Sequence, residues 1–517
     1  MIKLSSNNTA TFGSTFSSID YKEFEKTGDS NYFESIIDNL ILEEYSDSDE
    51  IKDLIKSLPK EEKRISIALN LGDNLLWNQI NDVHKSDKTR YEKIKGITLL
   101  IRDYVKTADV RRKTHGEILT PFRELAKPMV NLIEEYDDYF WKDHTNKVLD
   151  SSAGYGTFLI LCLFKFMDGL KEWEPNEDLR LKHIIENQLY YGELQSRSVF
   201  SWLLAIDPYD DYQPNIYWGS FLSEDFDYHM KNVWKVEKFD LIIQNPPYQL
   251  HKEGFKKSQP LWHLFVQKSL RLLKDDKYMI MVHPAGWRNI DGVFKETQNL
   301  LKKLQVLYLE IHNADDGFKI FGAATRYDFY CLKNTINNNN YTTIKGENGD
   351  IELLDISKME FIPNGMFKDV FELVAKDDED RVEVLYSRSA YGSDKNHMLK
   401  EKTEEFKYPC IQNVNVKNEL SCIHHSNTKT NGHFGLPKVI FGRKSSGVFV
   451  DKNGDFGQAQ DCSSIIDDLD NIENIQKALQ NKRFLMLSKQ CDVGGSRDWY
   501  NRKIIATFRK DFWKEFI

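Results

Sequence analysis

Between residues 147 and 334 short apolar runs alternate with stretches whose apolar residues recur every three to four positions. KVLDSS, YYGEL, FDLIIQ and YMIMVHP read as strands, and TFLILCLFKFMDGL and PLWHLFVQKSLRLL read as helices. Strands alternating with helices predict an α/β fold with a Rossmann-like, mostly parallel, doubly wound sheet. VLYLEIH and RYDFYCLKN are two further extended segments around an irregular loop. With no helix expected between them, they should pair as an antiparallel hairpin at one edge.

The rhythm differs on either side. Residues 32–106 carry apolar positions at helical spacing, in FESIIDNLILEEY, RISIALNLGDNLLWNQI and KIKGITLLIRDYV. A helical N-terminal region over 1–105 follows, either a structural cap or a bundle that docks a partner. Residues 334–350, NTINNNNYTTIKGENGD, are rich in Asn and Gly and read as a linker. Beyond 351, extended pieces such as VEVLYSR, KVIFGR, GVFVD and RKIIATF mix with the helix NIENIQKAL. The expected organisation is 1–105, a central α/β domain over 106–335, and a mixed α+β domain over 336–517.

Composition narrows the field. The chain has 517 residues, 40% hydrophobic and 13% aromatic, enough for several cores. Its formal net charge of -10 gives no global attraction to nucleic acid, so such a surface would be a local basic patch. The six cysteines include no CxxC pair, which argues against a zinc ribbon or a disulfide framework, and no metal is expected. The first residues lack the basic and apolar regions of a signal peptide, and no run of about 18 apolar residues suggests a membrane span. The expected compartment is the cytoplasm.

Four strand ends carry the chemistry. Asp150-Ser151-Ser152-Ala153-Gly154-Tyr155-Gly156 follows one strand and opens a helix. Two glycines allow a tight turn and close approach of a ligand, and the helix N-terminus favours negative groups. No Lys-Ser/Thr follows, so it is not a phosphate loop. Glu193 ends a second strand, where an acidic residue accepts ribose hydroxyls in nucleoside-binding folds or is simply solvated. Gly219-Ser220-Phe221 ends a third, with Phe221 suited to pack on a purine. Asn245-Pro246-Pro247-Tyr248 follows FDLIIQ. The prolines fix φ and donate no N–H, so they stiffen a loop whose Asn amide and Pro carbonyl can accept two bonds from one amino group, beside an aromatic face.

These motifs in this order resemble class I S-adenosylmethionine-dependent amino-group methyltransferases. His115-Gly116-Glu117-Ile118-Leu119-Thr120-Pro121 is similar to the segment that precedes the Gly turn in many adenine-specific DNA methyltransferases. The arrangement resembles DNA adenine-N6 methyltransferases that carry their target-recognition domain last. The resemblance implies S-adenosylmethionine as cofactor, double-stranded DNA as partner and an adenine flipped out of the helix. A restriction-modification setting and a cognate endonuclease go with it. It implies that Thr120 and Pro121 hold the cofactor's methionine end and that Asp150, Ser152, Gly154 and Gly156 line its site. Glu193 would take the ribose hydroxyls, Ser220 and Phe221 the adenine. Asn245, Pro246, Pro247 and Tyr248 would form the target-base site. The family usually has Asp at position 220 and Pro-Ala-Cys at 151–153, and Tyr155 replaces a small residue.

Further contacts are expected by position. Phe321, and next to it Phe318, would stack on the base opposite Tyr248, or else belong to the core. Arg288 would contact a DNA phosphate or hold a loop. Arg443 and Lys444, with Arg497, Arg502 and Lys503, would supply backbone contacts or be plain solvated charges. Two other readings remain: transfer to an RNA base or a protein glutamine, and a non-catalytic DNA-binding relative.

Overall fold

The computed structural model describes residues 74–107, 120–207, 211–250, 259–338, 340–386, 395–443, 446–494 and 499–517. Most of the expected N-terminal helical region therefore lies outside the described residues, as do His115–Leu119, Lys444 and Arg497. Its last part forms two helices, α1 (Asn74–Lys85) and α2 (Arg90–Thr107).

The central sheet has nine strands: β1 (Val148–Asp150), β2 (Leu189–Glu193), β3 (Asn215–Trp218), β4 (Phe239–Gln244), β5 (Leu273–Pro284), β6 (Leu304–His312), β7 (Tyr327–Ile336), β8 (Thr342–Lys345) and β9 (Ile351–Leu354). Their order is β9-β8-β6-β7-β5-β4-β1-β2-β3. From β3 to β5 every pairing is parallel. β7 runs antiparallel to both β5 and β6, as the expected hairpin, but the pair is not at an edge, because β8 and β9 lie beyond β6. Successive residues of each strand serve opposite cores. Leu241, Ile243, Ile280 and Val282 face one core, while Ile242, Met279 and Met281 face the other. That double burial is why these strands read as continuous apolar runs.

Helices cover both faces. α3 (Lys127–Tyr136), α4 (Thr157–Gly169), α5 (Glu177–His183) and α6 (Ser196–Ile206) pack on the first, through Met129, Phe166, Leu181 and Trp202. α1 and α2 join them, with Ile80, Ile94 and Ile97 buried in that same core. α7 (Glu224–Asn232), α8 (Trp262–Leu272) and α9 (Lys295–Lys303) cover the second face, through Phe226, Phe265 and Leu301.

Three local expectations change. The 334–350 stretch is not a plain linker, because β8 pairs in parallel with β6 and antiparallel with β9. The loop between β6 and β7 contains a helix, α10 (Ala314–Phe321), capped by Asn313 and ended by Gly322 at φ 69. The segment 502–508 is not a strand. It opens as the short helix Arg502–Ile505, capped by Asn501, and then makes only isolated bridges from Phe508 and Arg509. Beyond β9 lie two four-stranded sheets, with a core of their own around Val439, Ile465, Phe484 and Phe512.

Candidate active site

The Gly turn links β1 to α4. Gly156 adopts φ 77, and a Cβ there would lie 2.1 Å from the Trp202 ring. Trp202 itself stacks on Tyr191 of β2, centroids 5.2 Å apart. Gly156 is thus demanded by packing as well as by its dihedral. Gly154 differs: at φ 51, a Cβ on it would meet nothing within 4 Å. The space beside its Cα is the open part of the cradle, while its N–H and carbonyl are held by Glu193 and the Tyr191 hydroxyl. No side chain caps α4, so its first N–H groups keep the donor capacity of a free helix N-terminus.

Two carboxylates border this turn. Glu193 accepts the Gly154 N–H at 2.8 Å, and the Leu194 and Gln195 N–H groups at 2.8 and 2.9 Å. Asp150 is 1% exposed. One of its oxygens accepts the Ser152 N–H at 3.1 Å, while Oδ2 is buried without a partner. Burial lifts its carboxyl well above the ordinary range; the Ser152 bond opposes this and neighbouring Glu193 adds to it. An orphaned carboxylate oxygen, open space beside Gly154 and an uncapped helix suit a ligand with a cationic group and sugar hydroxyls.

The Gly turn and the NPPY loop are tied together by side chains. Ser152 Oγ donates to the Asn245 carbonyl at 3.1 Å. Ser151 Oγ donates to Gln244 Oε1 at 2.6 Å, and Gln244 Nε2 donates to Ser269 Oγ at 2.5 Å. Asn245 Nδ2 donates to Thr120 Oγ1 at 3.3 Å. Asn245 is 9% exposed, and its Oδ1 is buried without a partner. Pro246 is buried and Pro247 exposed. Tyr248 packs edge to face on Phe321, with centroids 5.8 Å apart and planes at 78°. Its hydroxyl is buried without a partner, and burial holds its pKa well above the usual value.

The structure therefore brings together Thr120, Asp150, Ser152, Gly154, Glu193, Asn245 and Tyr248, with Phe321 beside Tyr248. Pro121 starts the turn Phe122–Ala126, its carbonyl accepting the Leu125 and Ala126 N–H groups. Ser220 lies past β3, its carbonyl accepting the Ser223 N–H and hydroxyl. Phe318 is 62% exposed one turn from Phe321, away from the ring contact. Arg443 is exposed on the distal region.

Two expectations are corrected. Phe221 is 2% exposed and packs against Phe226 and Phe265 at centroid distances of 4.9 and 5.1 Å, so its ring belongs to the core. Arg288 is fully buried: Nε donates to Asp328 at 2.7 Å, Nη1 to the Ile362 and Pro363 carbonyls, and Nη2 to Asn364. Every arm of its guanidinium is engaged inside the protein, which leaves none for a phosphate. The Asp328 partner was a missed residue. A lone carboxylate inside the apolar strand RYDFYC was the available signal, since a buried charge demands a mate.

Residues 161–321 match the family model of the Eco57I restriction-modification methylase. Over this span the chain is similar to methylases of that type. The matched span takes in Glu193, the NPPY loop and Phe321, and starts just after the Gly turn. An uncharacterized adenine-specific methylase of Mycoplasma pneumoniae is 33% identical over 85 residues, 16% of this chain and 20% of that protein. The chain thus spans only a fifth of the length of this curated relative. The chain is similar in fold to a nuclease-deletion mutant of LlaGI, a Type ISP restriction-modification enzyme solved with a DNA substrate mimic. The TM-score is 0.50 at 12% identity, over 96% of this chain and 56% of that one.

Proposed function

We propose that this protein transfers a methyl group from S-adenosylmethionine to the N6 amino group of an adenine flipped out of double-stranded DNA, in a restriction-modification setting. The observation that carries this reading is Asn245 at the end of β4. Its amide nitrogen is spent on Thr120, and its oxygen is left buried and unpaired.

The exocyclic amine of adenine is a poor nucleophile because its lone pair is delocalised into the ring. Asn245 Oδ1 and the Pro246 carbonyl each accept one N–H, which draws the nitrogen towards sp3 geometry and frees the lone pair. The proton lost after transfer is acidic, so no base has to act first. Asp150, Gly154 and Glu193 are the residues to hold the cofactor, Asp150 facing a cationic group and Glu193 the ribose hydroxyls. Bound there, S-adenosylmethionine supplies an electrophilic methyl group. Positioning of this kind can contribute about 7–11 kcal/mol. Flipping the base costs a few kcal/mol, and stacking on Tyr248 offsets about 1–3 kcal/mol of it.

The test is transfer of tritiated methyl from S-adenosylmethionine to DNA, RNA and protein in parallel, followed by methylation-sensitive long-read sequencing of the DNA. Label is expected in DNA, on adenine at one sequence. Asn245→Ala is expected to abolish transfer while cofactor binding by calorimetry stays near wild type. Label in RNA or protein alone, or full activity in Asn245→Ala, would overturn the assignment.

A further inference from the structure

The side-chain ties between the Gly turn and the NPPY loop do more than fasten two loops. We propose that Thr120 is a positioning residue that anchors the Asn245 amide beside the substrate amine, with Ser152 holding the backbone beneath it. This rests on the methyl-transfer reading and assigns Thr120 a task at the acceptor side of the reaction.

A carboxamide has one accepting end and one donating end, similar in size. Only the accepting end is useful to an amine that must give up two N–H bonds. At 9% exposure Asn245 has little water to settle the choice. Its Nδ2 lies 3.3 Å from Thr120 Oγ1, with the nitrogen donating, and Oδ1 is the end left without a partner. The Thr120 hydroxyl accepts here and can also donate, so it anchors the amide, while the N–H groups of the amine select the oxygen end. The backbone below cannot swing. Ser152 Oγ holds the Asn245 carbonyl at 3.1 Å, and the Ser151–Gln244–Ser269 chain fixes the preceding residue. Both serines stand where the resembling methyltransferases carry Pro and Ala. The departure at 151–152 thus provides the braces of this loop.

Thr120→Val keeps the side-chain shape and removes only the oxygen. The amide then loses its partner and can rotate. With the full-length protein, saturating DNA and saturating S-adenosylmethionine, turnover is expected to fall about 10–100-fold, the scale of small misplacements of a reacting group. Cofactor Kd by calorimetry should stay within about threefold of wild type, well under the 1.4 kcal/mol of a tenfold change. Thr120→Ser, which restores the oxygen, should recover most of the turnover, and Ser152→Ala should lower turnover without weakening cofactor binding. Wild-type turnover in Thr120→Val, or a loss carried wholly by cofactor Kd, overturns the proposal while leaving the methyltransferase reading intact. Absence of transfer by the wild-type protein to any nucleic acid overturns both.

Discussion

At the scale of single residues, Asp150 sets burial against ligand charge. Burial is the largest influence on its carboxyl, and it favours the neutral acid in the free protein. A cationic group bound beside the orphaned Oδ2 favours the carboxylate instead. Binding then releases a proton where the pH lies between the carboxyl's lowered value in the complex and its raised value in the free protein, and across that window cofactor affinity should increase with pH. Calorimetry in two buffers of different ionisation enthalpy is expected to reveal that release. Asp150→Asn should bind more weakly and lose the pH dependence; a wild-type affinity flat in pH would show that no cation meets this group. Asp150, the two glycines and Asn245 were legible in the sequence because their chemistry follows from residue type and strand-end position. Ser151 and Ser152 stood out only as departures. Their partners, Gln244 and Asn245, lie 93 residues away, and nothing local announces the bonds.

At the scale of elements, α10 shows why some of the fold escaped a linear reading. Its signals are present: Asn313 accepts the Asp315 and Asp316 N–H groups at 2.9 Å, and Gly322 ends the helix in the left-handed region. Gly317 in its middle pointed towards a loop. The reason for that glycine is tertiary, since a Cβ would fall 1.9 Å from the Thr325 carbonyl oxygen. β8 and β9 escaped likewise, because four-residue strands flanked by Asn and Gly gain their identity only by pairing with β6 and with each other. The long apolar strands needed no such help. The helix matters to the site because it presents Phe321 to Tyr248 edge to face. A base stacked between the two rings requires them to part. Phe321→Ala is expected to weaken binding of DNA with a mismatched target adenine by about 1–3 kcal/mol, the worth of one stacking partner. Equilibrium titration checks this, and unchanged affinity and turnover would assign Phe321 to the core alone.

At the scale of the whole molecule, the buried ion pair Arg288–Asp328 helps to join the central sheet to the C-terminal region. Arg288 and Asp328 are both fully inaccessible, and Trp287 donates to the same carboxylate at 2.9 Å. Burial pushes the Asp328 carboxyl up, while the Arg288 guanidinium and the hydrogen bonds pull against it. The remaining Arg288 donors reach residues 362–364, and Asn364 continues to the Gln490 and Asp492 carbonyls. A guanidinium that bridges two regions in this way acts on stability, whereas a phosphate contact acts on DNA affinity. The two roles separate in Arg288→Met. The variant leaves Asp328 buried without its mate, which costs about 3–5 kcal/mol. Arg288→Met combined with Asp328→Asn removes both charges, so the double variant should lose less than the sum of the single ones. Denaturant unfolding measures the first effect and its partial rescue. Were Arg288 instead a phosphate ligand, Arg288→Met would keep its unfolding midpoint and flatten the salt dependence of DNA binding by about one phosphate contact.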